Sequence, residues 1–206
     1  HMLRGVVGDQ VFFEILAEYR QRFAYSTVTT GDFKSVAEQI WGADLGWFFD
    51  EWIYGGGAPA YEYGWRHHEV DGQHFLELAL DQYQQQSAFE MPVTIETVEL
   101  GERREYTVWN DARSEHLLVP VSGPVDSVEL DPDEWILTRS VAESAFSDGP
   151  PKIVAVKPVT RWRMRAGPVM SIDVTFHKDV VVESSHFNLR RADNSEPEFD
   201  LTYDPT

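Results

Sequence analysis

Apolar residues near the start of the chain recur at intervals of three and four, the spacing that places side chains on one face of a helix. Asp9 is a suitable residue to cap this helix. The positions that carry the pattern are Phe12, Leu16, Tyr19 and Phe23, with Phe13 and Ile15 widening the stripe. The pattern predicts an amphipathic helix that packs through this face.

Two further helices are predicted before residue 60. Thr29 and Asp32 have the spacing of a capping box, and Gly42 suits the end of the helix that they begin. Asp44 then precedes an aromatic-rich run that ends before three glycines and a proline. The aromatic residues of this run have helical spacing, so we expect them in a core rather than on a ligand platform. They are Trp47, Phe48, Phe49 and Trp52.

From Ala60 onward the hydrophobic period changes to two. Asp71-Gly72 is a strong hairpin signal between the run that begins at Ala60 and a second run that ends at Leu80. Further strand-like runs are 93–100, 104–109, 116–121, 125–130 and 135–141. Short strands separated by turn residues predict an antiparallel β-sandwich.

The segment 142–151 contains residues that break regular structure, and it predicts a linker. Beyond it, strand character returns in the runs 152–157, 170–176, 186–190 and 198–203. This tail is shorter than the roughly 100 residues of a complete immunoglobulin-like domain. The predicted class is therefore α+β in several parts: N-terminal helices, an antiparallel β-sandwich and a short, incomplete immunoglobulin-like β-module.

Charge and composition exclude some classes of function. The 206 residues include 17 basic and 35 acidic ones, for a net charge of −18. Such a surface repels phosphate backbones, so we expect no nucleic-acid partner. Solubility explains the acidity most simply, and calcium binding or attraction of basic substrates are the alternatives. Cysteine is absent, which excludes disulfides and thiolate chemistry. No apolar run approaches the roughly 20 residues that span a bilayer, so no membrane span is expected.

Several motifs follow one another in a fixed order. They are Met2-Leu3-Arg4, Gly8-Asp9 with Phe12-Phe13, Thr29-Thr30 with Asp32-Phe33, Gly42 with Asp44-Leu45, Trp47-Phe48-Phe49 with Trp52, and Gly57 with Pro59. In this order and spacing they resemble the end of the catalytic domain of M1-family zinc metallopeptidases. The resemblance continues in Leu78 to Gln82, Phe89 to Ile95 and Asp131-Pro132, which are similar to motifs of the domain after the catalytic one.

The resemblance implies an organisation in parts. Residues 1–59 would be the C-terminal helices of an M1-type catalytic domain, 60–141 a β-sandwich domain, 142–151 a linker and 152–206 a partial immunoglobulin-like β-module. The segments 151–158 and 172–179 loosely resemble bacterial immunoglobulin-like modules. The function implied is that of a C-terminal fragment of a zinc aminopeptidase, whose parent protein hydrolyses N-terminal residues from peptides.

The zinc chemistry of that family needs residues that this chain lacks. M1 enzymes bind zinc through H-E-x-x-H on one helix and a further Glu, and the Glu inside the motif is the general base. The seven histidines do not form this motif; they are His1, His67, His68, His74, His116, His177 and His186. Zinc, its ligands and the contact with peptide substrates would therefore lie upstream. We expect no catalytic, cofactor-binding or metal-binding residue in this chain and no hydrolysis by the chain alone.

Other interpretations stay open at this point. His68 and His74 flank the Asp71-Gly72 turn and could share a metal ion, although adjacent His67 and His68 must point to opposite faces of a strand. Carboxylate groups that could act as acids, bases or calcium ligands are better explained as solvated surface. They are Asp50-Glu51, Asp131 with Asp133 and Glu134, and Asp193 with Glu196.

A different class of function is a non-catalytic β-sandwich binding or interaction module with a helical cap. It would present an exposed aromatic platform, built from Trp65 and Trp109. A stand-alone interaction protein that has lost its catalytic half is a third possibility. The sequence leaves the cellular location unknown, and an immunoglobulin-like tail favours an extracytoplasmic parent.

Overall fold

A computed structural model of the chain describes residues 1–163, 167–186 and 201–202. The chain divides into two compact units, His1–Asp148 and Gly149–Thr206. Helices precede antiparallel sheets along the chain, which confirms the predicted α+β class in several parts. Among the described helices, none combines the length and the apolar character that crossing a membrane requires.

The first unit begins with a small helical layer. Its helices are α1 (Met2–Val7), α2 (Asp9–Phe23), α3 (Thr30–Trp41) and α4 (Gly46–Phe49), which continues into a π-helical turn, Asp50–Tyr54. The Thr29 hydroxyl accepts the Asp32 amide, and the Asp32 carboxylate accepts the Thr29 amide at 2.7 Å. Gly42 ends α3 in the left-handed conformation at φ 82°. Both predicted ends of α3 are confirmed.

Helix α2 packs through a face that overlaps the predicted one but is centred on Ile15 rather than on Leu16. Ile15 is fully buried at the centre of the packed face, and Phe12 and Tyr19 are half-buried beside it. Leu16 is 39% exposed and Phe13 is 56% exposed. The predicted burial of Leu16 is wrong. Helix α2 carries apolar residues on two sides, and their spacing alone does not show which side packs.

The strands of the first unit form two sheets. They are β1 (Ala60–Val70), β2 (Gln73–Gln82), β3 (Met91–Glu99), β4 (Glu102–Asn110), β5 (Ser114–Val121), β6 (Val125–Leu130) and β7 (Ser140–Glu143). One sheet has the order β5-β2-β1-β7 and the other the order β4-β3-β6. Both sheets contribute to one core, so they form a sandwich. The buried members of this core are Tyr61, Tyr63, Leu76, Leu78, Leu80, Met91, Val93, Ile95, Val128, Leu130 and Ile136.

The predicted hairpin is confirmed, whereas one predicted strand is wrong. Asp71 and Gly72 both have positive φ, 51° and 72°, and form a two-residue turn of the type I′ kind between β1 and β2. The strand predicted over 135–141 is wrong, because β7 begins at Ser140 and pairs parallel with β1. The Asp131 carboxylate binds the amides of Trp135 and Ile136, both at 2.9 Å, and holds this stretch in a turn.

Aromatic contacts join the helical layer to the sandwich. The Trp47 ring meets the Trp109 ring edge-on at 5.1 Å between centroids, and the Trp52 and Phe89 rings are 4.7 Å apart. The predicted core position of the aromatic run is confirmed. Its members are buried (Phe48, Phe49) or packed against both apolar clusters (Trp47, Trp52).

The chain after β7 stays close to β1. The Ser144 amide donates to the Tyr63 carbonyl at 2.7 Å, and a Cβ on Gly64 would lie 2.8 Å from the Phe146 Cα. Arg66 pairs with Asp148 at 2.9 Å. The first half of the predicted linker 142–151 therefore lies along β1, and its role as a linker stays a prediction.

The second unit, in its described part, contains one antiparallel hairpin. Strand β8 (Ile153–Arg163) pairs with β9 (Gly167–Phe176), with a register shift between Ile153 and Ala155. A short 3₁₀ turn, Ser184–His186, follows. The tail strands predicted over 186–190 and 198–203 fall mostly outside the described residues, and the immunoglobulin-like character of the tail stays a prediction.

Candidate functional site

A cleft of about 700 Å³ opens beside the start of α1. The segment from the end of β6 to β7 forms much of its wall. Carboxylates dominate the polar lining, contributed by Glu129, Asp131, Glu134 and Glu143. Three of them are exposed, and Asp131 is buried. The cleft therefore carries concentrated negative charge beside apolar and aromatic side chains.

The aromatic wall of the cleft depends on Gly5 of α1. The His1 ring stacks on the Trp135 ring at 4.5 Å with an interplanar angle of 8°, and the Arg4 guanidinium lies 5.8 Å from the same indole. A Cβ on Gly5 would lie 2.9 Å from the Trp135 ring. A helix can approach the indole this closely only because position 5 has no side chain.

Asp131 shapes the wall rather than presenting a free carboxylate. Its backbone adopts φ 52°, and its amide donates to the Thr94 carbonyl at 2.8 Å. Burial raises the pKa of Asp131, and the neighbouring Asp133 and Glu134 raise it further, whereas the amides that it accepts act in the opposite direction. The expectation of a solvated surface holds for Asp133 and Glu134 but is wrong for Asp131.

Two core tyrosines near the cleft differ in how their hydroxyls are satisfied. The Tyr63 hydroxyl donates to the Val128 carbonyl at 3.1 Å. The Tyr61 hydroxyl is buried and has no hydrogen-bond partner among the described residues. Burial, followed by the charge of Asp131, raises the pKa of Tyr61. Tyr61 is therefore a neutral core residue whose hydroxyl meets no hydrogen-bond partner in the described residues.

A second buried carboxylate, Glu99, lies at the end of β3, and its surroundings differ from those of Asp131. It accepts hydrogen bonds from the Thr97 hydroxyl at 2.6 Å and from the Tyr106 hydroxyl and the Ser122 amide, both at 2.7 Å. Burial acts to raise the pKa of Glu99, but these donors, with Arg104, outweigh it and hold the pKa below its ordinary value. The ionised form of Glu99 is thus part of the folded structure.

The β1–β2 hairpin carries the histidine cluster that the sequence singled out. His67 and His68 point to opposite faces, as predicted. His67 Nε2 lies 3.0 Å from His74 Nδ1, whereas His68 Nε2 lies 2.8 Å from the Glu77 carboxylate. The predicted pairing of His68 with His74 is wrong. Burial, and then the proximity of His74, lower the pKa of His67.

The correct pairing follows from counting across the turn. With Asp71-Gly72 as a two-residue loop, Val70 faces Gln73 and Glu69 faces His74. His67 then falls on the same face as His74, two positions further along the strand. The sequence therefore contained the signal, whereas no local pattern pointed to the cleft or to the unsatisfied Tyr61 hydroxyl.

Trp65 and Trp109 do not combine into an aromatic platform. Trp65 lies on β1, packs against the sandwich core and donates to Glu143 at 3.0 Å. Trp109 lies on β4, in the other sheet, and meets Trp47. Trp65 and Trp109 therefore do not form the exposed aromatic platform that a binding module of this kind would present. Asp193 and Glu196, the remaining carboxylates named from the sequence, lie outside the described residues.

The donor chemistry of the helical layer does not fit a catalytic zinc ion. Helices α1 to α4 and the π-helical turn contain no histidine, and His1 immediately before α1 contacts Trp135 and the Glu134 carbonyl. Two histidines one helical turn apart, which the H-E-x-x-H arrangement needs, are not supplied here. No step of zinc chemistry can be assigned to these residues.

Comparison with known proteins gives a likeness of fold. No protein-family model and no curated protein sequence matches the chain. A crystal structure of Legionella pneumophila aminopeptidase A in complex with aspartic acid aligns with a TM-score of 0.54 at 16% sequence identity. The alignment covers 71% of this chain and 17% of that chain. The chain thus shares its fold with part of an aminopeptidase and spans a small fraction of that protein's length.

Proposed function

We propose that this chain is the C-terminal portion of an M1-type zinc aminopeptidase, comprising the last helices of the catalytic domain and the β-sandwich that follows. The observation that supports the proposal is the shared fold, which extends over 71% of this chain and only 17% of the aminopeptidase. The ordered motifs of the sequence support it independently. Zinc and the residues that hydrolyse peptides would lie upstream of His1.

The contribution of this portion is mechanical. Four side chains pack against both the helical cluster and the sandwich core: Met2 and Val6 of α1, Trp47 and Trp52. The Glu51 carboxylate also accepts the Glu90 amide at 3.0 Å. The helices are therefore fixed on the sandwich by apolar and polar contacts. A catalytic domain that ends in these helices would gain a rigid support beneath them.

The outer side of α2 is the surface on which the upstream part would pack. Phe13 and Leu16 are three positions apart, so they lie on one face of the helix. They are 56% and 39% exposed. Covering such a side chain fully contributes roughly 1.5–3 kcal/mol. An isolated helical layer leaves the exposed fractions of these side chains in water, whereas the upstream helices of a complete catalytic domain would bury them and gain the corresponding part of this energy.

Two proteins from the same gene test the proposal. The first extends upstream along the open reading frame, and the second begins at His1. We expect the longer protein to contain H-E-x-x-H and to hydrolyse an aminoacyl chromogenic amide, with activity lost on chelation. We expect the shorter protein to be inactive. An upstream frame that is closed, or that lacks the zinc motif, would refute the proposal.

A mixing experiment tests the docking surface separately. The upstream part is expressed alone and combined with the chain that begins at His1, either unchanged or carrying Phe13→Ser with Leu16→Ser. We expect association to weaken by about tenfold or more in the double variant, since the exposed fractions of the two side chains, 56% and 39%, together correspond to roughly 1.5–3 kcal/mol of burial. Tyr25→Ser is the matched control, because Tyr25 is fully exposed elsewhere on the helical layer. Equal binding by both variants would place the docking surface elsewhere.

A further inference from the structure

Two imidazoles meet near the turn of the β1–β2 hairpin. His67 Nε2 and His74 Nδ1 are 3.0 Å apart, and the ring centroids are 5.2 Å apart at an interplanar angle of 26°. We propose that His67 and His74, with Glu69 as a third ligand, bind a divalent transition-metal ion such as Zn²⁺. The site is separate from the catalytic zinc of the proposed parent enzyme, and it assigns a metal to a chain for which the sequence predicted none.

The distance between the two nitrogens suits a shared ion. Zinc binds imidazole nitrogen at about 2.0–2.1 Å, so two nitrogen ligands of a tetrahedral ion lie about 3.3 Å apart. The observed separation of 3.0 Å is within a small ring rotation of this value. Without a metal, one ring nitrogen donates a hydrogen bond through its N–H, and the other accepts it with its lone pair. With a metal, both nitrogens present lone pairs to the ion.

Glu69 can complete the ligand set. It is the direct cross-strand partner of His74, and directly opposed residues have Cβ atoms about 4.5–5.5 Å apart on one face of the sheet. His67 belongs to the same face, two positions before Glu69. The Glu69 side chain is exposed, so its carboxylate is free to turn towards the two rings. A His₂–carboxylate set leaves at least one position for water.

The backbone fixes this arrangement in advance. The hairpin closes through a two-residue turn, Asp71-Gly72, with both residues at positive φ, and its register is continuous from Tyr61 to Val70. A slip by one residue would move the core-facing Tyr61 and Tyr63 of β1 to the other face of the sheet. The two histidines are therefore held in register by the core of the sandwich, which limits the entropy lost on binding.

The ligands also predict which ions bind. Imidazole is a good ligand for Zn²⁺, Cu²⁺ and Ni²⁺, whereas Mg²⁺ and Ca²⁺ prefer sets of oxygen ligands. We expect measurable binding of Zn²⁺ and no competition by millimolar Mg²⁺ or Ca²⁺. The acidic surface would attract any cation, so this selectivity separates a site from general electrostatic attraction.

Calorimetric titration of the full chain with Zn²⁺ tests the proposal. His1→Ala serves as the parent, because an amino-terminal histidine can itself bind metal ions. We expect one zinc per chain, weakened at least about tenfold by His67→Gln and by His74→Gln, as for the loss of groups that hold a metal site together. His186→Gln is the matched control, since His186 is an exposed histidine outside the β1–β2 hairpin.

Three results would overturn the assignment. They are the absence of stoichiometric zinc in the His1→Ala protein, a zinc affinity in the His67→Gln and His74→Gln variants equal to that of the His1→Ala protein, and a loss of affinity in His186→Gln that those two variants do not show. An unchanged affinity in Glu69→Gln would remove the carboxylate from the ligand set. Circular dichroism verifies that each variant is folded. The experiment measures zinc binding and not hydrolysis, so its outcome does not depend on whether the longer protein is a peptidase.

Discussion

The two core tyrosines, Tyr61 and Tyr63, allow a direct test of the packing of the sandwich. Both lie on β1, both point into the same core, and both are less than a tenth exposed. Within the described part of the chain, only the Tyr63 hydroxyl has a hydrogen-bond partner, the Val128 carbonyl at 3.1 Å. The same chemical change, Tyr to Phe, should therefore have opposite effects two residues apart.

The magnitudes follow from the state of each hydroxyl. A buried polar group without a partner costs roughly 1–3 kcal/mol, so Tyr61→Phe should raise the free energy of unfolding by about 1 kcal/mol or more. A satisfied hydrogen bond contributes about 0.5–1.5 kcal/mol net, so Tyr63→Phe should lower it by about 1 kcal/mol. The two variants should differ by about 2 kcal/mol, which corresponds to a difference in Tm of roughly 4–8 °C for a domain of this size.

Urea unfolding followed by tryptophan fluorescence is the suitable assay. Trp162 is in the second unit, and the other tryptophans all precede Asp148, so the signal reports mainly on the first unit. The experiment belongs at pH 7, where both phenols are neutral. Unchanged m-values would show that only stability, and not the extent of unfolding, has changed.

One outcome would refute the reasoning. If Tyr61→Phe lowers the free energy of unfolding as much as Tyr63→Phe does, the Tyr61 hydroxyl contributes a hydrogen bond in the folded protein. A bound water in the core would be the simplest partner. The assignment of Tyr61 as an unsatisfied group would then be wrong.

Three further predictions follow from close approaches and buried charge. Gly64→Ala should push Phe146 away from β1, because the new Cβ would lie 2.8 Å from backbone, and chymotrypsin should then cleave at Phe146 several times faster than in the unchanged protein. Gly5→Ala should destabilise the first unit by about 1 kcal/mol through contact with Trp135, whereas Gly31→Ala, which has room, should stabilise it by about 0.5–1 kcal/mol in thermal melts. Glu99 has a folded pKa below its ordinary value of 4.5, so it stabilises the protein above that pH and loses this effect as the pH falls through the lowered pKa. In Glu99→Gln, the free energy of unfolding measured by urea titration should therefore fall less steeply as the pH is lowered. An unchanged pH dependence would contradict the role of these hydrogen bonds.

Local signals in the sequence predicted local structure well. The capping box of Thr29 and Asp32 and the turn at Asp71-Gly72 depend on residues a few positions apart, so their physics is complete within a short segment. The alternation of β1 and β2 likewise follows from burial of one side against a second sheet. These features define the α+β order of the chain without any knowledge of its tertiary contacts.

Features that depend on distant contacts were not predictable in the same way. The buried side of α2 is selected by the helices that surround Ile15, and the helix itself offers two apolar sides. The segment 135–139 is irregular because the Asp131 carboxylate accepts the Trp135 and Ile136 amides, although its apolar residues have the pattern of a strand. The cleft needs Gly5 and Trp135 together, although they are 130 positions apart in sequence.

The spacing of two motifs in the sequence has a physical cause in this fold. Gln82 is buried at the end of β2, where its side-chain amide donates to the Phe89 carbonyl and its oxygen accepts the Phe89 amide, both at 2.8 Å. These two hydrogen bonds fix the loop before β3. The Phe89 ring then packs against the Trp52 ring of the helical layer, with the ring centroids 4.7 Å apart. The glutamine and the phenylalanine must therefore be separated by a loop of defined length, and the tryptophan must follow the helix at a defined position. The motif in the sandwich and the motif in the helices thus contact each other across one interface, so their relative spacing follows from packing.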